Sequence, residues 1–188
     1  MTRKWNFPTL SSEEQRLGAE LARRFANCSP ISDLLVQRGI TTIAAAEKFF
    51  HPSLRDLHDP FLMPDMDKAV ERLNRAMGSK EKILVYGDYD VDGTTAVALV
   101  YRYLQNFYSE LEYYIPTRYE EGYGISRKSI DDVAERGIKL VIILDCGIKA
   151  IDEIRYAAER GIEFIICDHH VPDAELPPAV AILNPKLE

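Results

Sequence analysis

Three aspartates at alternate positions, Asp88, Asp90 and Asp92, are followed by Gly93 in the segment GDYDVDG. This spacing is typical of the start of a calcium-binding EF-hand loop. Such a loop needs a bidentate glutamate at its twelfth position, which here is Leu99. The preceding segment KILVYG is a short apolar run that predicts a buried strand, whereas a helix precedes an EF-hand loop. The sequence therefore favours a different kind of cation site.

The three aspartates would repel one another strongly without a cation. In an extended segment, side chains at alternate positions point to the same side, so neighbouring carboxylates would lie about 6–7 Å apart. At an effective dielectric constant near 20, each neighbouring pair costs roughly 2–3 kcal/mol. A bound divalent cation would remove this cost, and a solvated acidic turn would reduce it by screening. The segment favours a metal site, and the acidic turn stays open as the alternative.

Two later apolar runs also end in polar residues. Asp145 follows LVIIL, and Asp168, His169 and His170 follow IEFIIC. Asp145 alone is explained as well by a helix cap, and a single histidine is usually structural. Three apolar runs that each end in such residues are harder to explain in this way. Carboxylate oxygens and imidazole nitrogens together suit manganese or another hard to borderline cation.

The elements that carry these residues predict the fold class. After residue 80, apolar runs alternate with helical segments of roughly 10–15 residues, and AVAIL is a candidate fifth strand. This alternation predicts an α/β fold, a parallel β-sheet with flanking helices. Because ligands bind beyond the carboxyl ends of parallel strands, the polar residues would meet at one edge.

The first part of the chain has a different pattern. It predicts several helices, the first of which begins with a capping pair, Ser11 and Glu14. We therefore expect a helical N-terminal region over residues 1–77 and an α/β core over residues 78–188.

Composition limits the classes of function. The net charge of −7 argues against a general nucleic-acid binder, unless bound cations reverse the local field. Three cysteines without a CxxC spacing suggest neither a disulfide framework nor a zinc site. No apolar run has the length of a membrane span or of a signal peptide, so we expect a cytoplasmic protein. Nucleotide-binding glycine loops and a nucleophile elbow are absent from the sequence.

The ordered motifs GDYDVDG, LDCG and DHH resemble those of the DHH phosphoesterase superfamily. The match to its RecJ-like branch, the single-strand-specific 5′ exonucleases, is more extensive. It runs through DPFLMPDMDKAVERLNRA, YIPTRYEEGYGIS and DHHVPDAELPPAVAILNP. The resemblance implies a two-metal phosphodiesterase that uses manganese or magnesium. Its expected activity is 5′–3′ removal of nucleotides from single-stranded DNA in DNA repair and recombination.

The resemblance also implies metal ligands. Carried over by position, they are Asp88, Asp90, Asp92, Asp145 and His169, with Asp145 as the bridge between two ions. The family spacing favours Asp88 and Asp90 over Asp92.

The remaining roles concern the substrate. The resemblance implies that His170 and Arg118 contact the substrate phosphate and that Asp168 orients a histidine. A surface ion pair of Arg118 with Glu120 or Glu121 is an equal alternative. The catalytic set implied by the resemblance is Asp88, Asp90, Asp145, His169 and His170.

The sequence departs from the family pattern at its end. The pattern requires a further metal-binding aspartate after the DHH motif and then a second substrate-binding domain, and Asp173 follows the motif too closely to be that residue. We therefore expect an N-terminal fragment of a longer protein, with weak metal binding and little or no cleavage. Two alternatives remain: a DHH phosphoesterase for short oligonucleotides, cyclic dinucleotides or pyrophosphate, or a non-catalytic DNA-replication binding module. The resemblance also suggests a single-strand-binding protein as a partner.

Overall fold

The chain divides into two units, Met1–His58 and Asp59–Glu188. The computed structural model describes residues 4, 6, 8–24, 28–117 and 124–187. The sequence pattern predicts a division at residue 77, later than the one in the structure. The difference is a helix, Met66–Gly78, that belongs to the second unit because Ala69 and Ala76 pack in the core beside the sheet.

The described residues form helices in both units and strands in the second. The α-helices are α1 (Ser12–Arg24), α2 (Ser29–Gln37), α3 (Ile43–Phe50), α4 (Met66–Gly78), α5 (Val91–Leu104), α6 (Arg127–Glu135) and α7 (Ile151–Ala158). The strands are β1 (Ile83–Gly87), β2 (Leu111–Tyr114), β3 (Leu140–Leu144), β4 (Glu163–Cys167) and β5 (Ala181–Leu183). Among these helices, none combines the length and the apolar character that crossing a membrane requires.

The first unit is a small helical unit with its own core. Helix α1 begins with the expected capping box, in which the Ser11 N–H donates to Glu14 Oε2 at 2.7 Å and the Glu14 N–H donates to Ser11 Oγ at 3.3 Å. The core is formed by four buried side chains from the three helices: Leu21, Leu35, Val36 and Ala46.

The second unit is built on a parallel sheet of five strands in the order β2-β1-β3-β4-β5. This confirms the α/β fold class. The chain adds β2 on one side of β1 and then returns to add β3, β4 and β5 on the other side. The order therefore reverses between β1 and β3, and ligands of open parallel sheets bind at the carboxyl ends of strands at such a point.

Apolar side chains cover both faces of the sheet. Alternate residues of β1 point to opposite faces, so that Leu84 and Tyr86 belong to one cluster and Ile83 and Val85 to the other. Helices α6 and α7 cover the first face, and helices α4 and α5 cover the second. Burial on both faces explains why the strands are continuous apolar runs in the sequence. The sheet is therefore a rigid base for the residues that follow its strands.

Candidate metal centre

Four neighbouring strands, β1, β3, β4 and β5, end at the same level of the sheet. The residue that follows each strand is polar and buried, with an exposed fraction of 8% or less: Asp88, Asp145, Asp168 and Asn184. Backbone hydrogen bonds continue the sheet to two of these positions, because the N–H groups of Asp145 and Asp168 donate to Cys167 and Leu183. The four side chains therefore start from one row at the carboxyl edge.

Asp145 and the two histidines form a compact set of ligand atoms. His169 Nε2 lies 3.0 Å from Asp145 Oδ1. One ligand atom each from Asp145, His169 and His170 can be chosen so that all lie within 4.8 Å of one another. The histidine side chains are partly open to solvent, with exposed fractions of 59% for His169 and 44% for His170. The set is therefore accessible from outside and closed by the sheet on the inside.

Asp90 and Asp92 reach the site from the start of helix α5. Asp90 has extended backbone angles and caps the helix, since the Gly93 N–H donates to Asp90 Oδ1 at 2.9 Å. Asp92 lies in the first helical turn. The expectation that all three aspartates share one extended segment is therefore wrong. The helix starts this early because Gly93 packs against the backbone of Asp88, at a distance where a Cβ atom would meet the Asp88 carbonyl oxygen at 2.4 Å.

The acidic groups act on one another electrostatically. Burial raises the pKa of Asp145, and the negative charge of Asp90 raises it further, against the opposing effect of the hydrogen bond with His169. Cys146 lies beneath the site and is fully buried. Burial raises the pKa of its thiol, and the charges of Asp88 and Asp168 add to this effect. The charge of Asp90 therefore acts on Asp145, whereas the compact set of ligand atoms found among the described residues contains Asp145 and the two histidines.

Asp168 has a different environment from the other carboxylates. Its Oδ1 accepts hydrogen bonds from the N–H groups of His169 and His170, at 2.7 and 3.0 Å, and from His170 Nδ1 at 2.7 Å. Its Oδ2 accepts from the Ile148 N–H at 3.1 Å. Burial acts to raise the pKa of Asp168, but the hydrogen bonds from His170 and Ile148 outweigh it and lower the pKa. Asp168 therefore holds the histidine segment in place.

The site opens into two cavities. Asp92, Asp145 and His169 line one of about 830 Å³. His170 lines the other, of about 660 Å³, and Asp168 borders both. The row of strand ends therefore separates two spaces, one on the side of each histidine.

Asn184 is a residue of this site that lies within the matched segment DHHVPDAELPPAVAILNP but that the resemblance gives no role. It has no exposed surface, and its Nδ2 donates to the His170 carbonyl oxygen at 2.9 Å. The signal that could have identified it is its position directly after the AVAIL strand, which matches the position of each aspartate after its own strand. Arg118 lies outside the described residues, as do Glu120 and Glu121, so its expected phosphate contact stays a prediction.

The residues fit a divalent cation. Asp88 Oδ1 is buried and has no hydrogen-bond partner among the described residues. A buried carboxylate oxygen without a partner is costly, and a cation would satisfy it. The neighbouring donors are carboxylate oxygens and imidazole nitrogens, which suit magnesium, manganese and similar ions. The donor set at this edge of the sheet thus has the chemistry that a divalent cation requires.

Residues 82–188 match the DHH family, N-terminal domain. The chain belongs to this family. Within it, the chain is similar to proteins named single-stranded-DNA-specific exonuclease RecJ. The relative from Bacillus subtilis (strain 168) is 42% identical over 156 residues, which are 83% of this chain and 20% of the relative. The relative from Dickeya dadantii (strain 3937) is 36% identical over 155 residues, which are 82% of this chain and 26% of the relative.

The chain is also similar to solved structures of RecJ exonucleases. The crystal structure of exonuclease RecJ bound to manganese has a TM-score of 0.63 and 32% identity, and the match covers 70% of this chain and 35% of that chain. The crystal structure of RecJ in complex with Mn²⁺ from Thermus thermophilus has a TM-score of 0.69 and 25% identity, and the match covers 90% of this chain and 23% of that chain. The chain thus spans about a fifth to a third of the length of these relatives.

Proposed function

We propose that this chain forms the metal-binding part of a phosphodiesterase that degrades single-stranded DNA from its 5′ end, in DNA repair and recombination. The observation that carries the proposal is the row of buried polar side chains at the strand ends, joined by two histidines. The similarity to proteins named single-stranded-DNA-specific exonuclease supports the choice of substrate. The 5′–3′ direction follows from the resemblance to this branch of the family.

We propose manganese or magnesium as the cofactor, because two similar solved structures are manganese complexes of RecJ proteins. The residues that would hold the cation are Asp88, Asp90, Asp145 and His169, and Asp92 ranks below them. The chemistry that bound cations supply is stabilisation of the negative charge that develops on a phosphodiester during hydrolysis.

The protein's own residues would orient the substrate. Since a carboxylate only accepts hydrogen bonds, the His170 Nδ1 in contact with Asp168 carries a proton. This contact fixes the ring through Nδ1, so the proposed contact with a phosphate oxygen falls to Nε2. We propose this contact for His170, and a second phosphate contact for Arg118 on the basis of the resemblance. The set Asp88, Asp90, Asp145, His169 and His170 is the proposed catalytic machinery.

A chimera provides the test of the whole proposal. In the Bacillus subtilis relative, this sequence would replace the 156 matching residues. We expect the chimera to shorten a single-stranded oligonucleotide with a free 5′ end in the presence of manganese. The same oligonucleotide with a blocked 5′ end, and a duplex, should stay intact.

Variants of the chimera test the site. Asp145→Ala and His169→Ala should remove cleavage, whereas a matched exposed change, Asp173→Ala, should leave it within about twofold of the parent. A chimera that folds and binds manganese, and yet cuts no single strand, would reject the proposed function. Equal cleavage by the Asp145 variant and the parent would reject the site.

Two further parts of the proposal concern a protein partner and the location in the cell. A single-strand-binding protein as a partner follows from the family resemblance alone. A cytoplasmic location is part of the same proposal. A pull-down of the chimera with a purified single-strand-binding protein tests the first of these.

A further inference from the structure

His170 is held at three points by two side chains from neighbouring strand ends. Asp168, after β4, accepts hydrogen bonds from its N–H group and from its ring. Asn184, after β5, donates from Nδ2 to its carbonyl oxygen at 2.9 Å. The backbone of His170 is therefore fixed on both sides of the Cα atom, and the ring is fixed through Nδ1.

Asn184 is itself fixed in one orientation. Its Oδ1 accepts a hydrogen bond from the Lys186 N–H at 2.9 Å, while its Nδ2 donates to His170. Because one amide atom needs a donor and the other an acceptor, the side chain cannot flip without losing both contacts. The residue has no exposed surface, so water does not replace these contacts. A buried and fully oriented amide is suited to hold another residue in place.

The chemistry of the row explains why this position carries an amide. The three other strand ends carry Asp88, Asp145 and Asp168. A fourth carboxylate would add a like charge to an edge that already concentrates negative charge. It also could not donate to the carbonyl oxygen of His170, and would instead face it with a second acceptor. Asparagine supplies the donor without the charge.

We propose that Asn184 is a positioning residue that sets the location of the His170 ring. Its role in catalysis rests on the proposed function, in which His170 contacts the substrate phosphate. Its role in positioning does not depend on that function. The two can therefore be tested separately.

NMR of the metal-free chain tests the positioning. The sequence has four histidines, so selective isotope labelling gives few ring signals. Two variants change the residue, Asn184→Asp and Asn184→Ala. Asn106→Asp is a matched control, because Asn106 also donates through Nδ2 to backbone carbonyl groups but lies on the surface.

We expect both Asn184 variants to shift or broaden the ring signals of His170 while those of His51 and His58 stay in place. The control should leave all four unchanged. If the His170 signals of Asn184→Ala move no more than those of the control, the proposal is overturned. If Asn184→Asp fails to fold, Asn184→Ala decides, and if both unfold, Asn184 serves folding rather than positioning and the proposal is also overturned.

The chimera adds a functional measurement. Asn184→Ala should lower the cleavage rate about 10-fold to 100-fold, with manganese affinity within about twofold of the parent, as for partners that orient an active-site group. A loss of manganese affinity equal to the loss of rate would show that the residue supports the metal instead. A parent chimera that folds and binds manganese but does not cleave would refute the proposed function. The NMR result would still decide the positioning.

Discussion

Replacing Asp168 by alanine tests whether this carboxylate holds the histidine segment. The change leaves four donors without their acceptor: the N–H groups of Ile148, His169 and His170 and the His170 ring. We expect a large loss of stability, because the N–H group of Ile148, a residue that is 1% exposed, loses its acceptor in a buried position. The donors of the two histidines lie nearer to solvent, so water would replace part of their contacts.

The size of the loss follows from these contacts. A hydrogen bond to a charged group contributes roughly 1.5–3 kcal/mol, and a buried donor left alone costs about 1–3 kcal/mol. The four contacts share one carboxylate, so their contributions do not add. We expect the free energy of unfolding to fall by about 3–5 kcal/mol for Asp168→Ala. Asp168→Asn keeps one acceptor oxygen and should lose roughly 1–3 kcal/mol.

Urea unfolding followed by circular dichroism measures these changes. Asp173→Ala is the control: Asp173 lies in the same segment, is 56% exposed and pairs with Lys149 at 3.5 Å. Its loss should stay below about 0.5 kcal/mol. A loss for Asp168→Ala no larger than that of the control would refute the reasoning.

The pH dependence gives a second check on Asp168. A carboxyl whose pKa is lowered in the folded state contributes stability above its unfolded pKa of about 3.9, and this contribution is lost as the pH falls through the folded value. Burial opposes the lowering in Asp168, and the hydrogen bonds outweigh burial. The advantage of the parent over Asp168→Asn should therefore shrink as the pH falls below about 4. An advantage that grows in acid would contradict this account.

Further predictions concern single residues. Asp145→Asn should raise the free energy of unfolding of the metal-free protein at neutral pH by about 1 kcal/mol, because burial and a nearby carboxylate raise the pKa of Asp145. The same change should abolish the stabilisation by added manganese, and unchanged stabilisation would contradict this. Gly93→Ala should lower the free energy of unfolding in urea by more than about 2 kcal/mol, because the new Cβ atom would meet the Asp88 backbone. Gly78→Ala, where a Cβ atom meets open space, should lower it by less than about 0.5 kcal/mol. In thiol titration of the native protein, Cys167 should react far more slowly than Cys28, since burial raises the pKa of Cys167 to about 12; equal rates would refute this.

The sequence predicts most of the fold because its signals are local. Apolar runs give the strands, and β1, β3, β4 and β5 lie within one or two residues of KILVYG, LVIIL, IEFIIC and AVAIL. Helix α6 begins after its cap Ser126 and is followed by Gly137 at φ 74°, and both are residue types that mark helix ends locally in a sequence. The order of the strands is not local. It depends on which faces pack together, and the sequence pattern contains no direct sign of it.

The parts of the site that sequence reasoning misses depend on tertiary contacts. The spacing of the aspartates predicts one extended face, but the close approach of Gly93 to the Asp88 backbone lets helix α5 begin at Val91. Asn184 lies in a matched segment, but its contact with His170 appears only when β5 is paired with β4 in the observed register. Predicting either feature would require the distances between residues that only the folded structure brings together.

The carboxylates at the strand ends divide into two kinds, and the division explains how one row both holds its shape and binds a cation. Asp168 is satisfied by four donors of the protein. Asp88 keeps a buried oxygen without a partner among the described residues, and the pKa of Asp145 is raised by burial and by Asp90. The first kind stabilises the fold and the second kind costs stability until a cation arrives. Removing charge from the row should therefore destabilise the protein at Asp168 and stabilise it at Asp145, and equal signs at the two positions would show that the row has no such division.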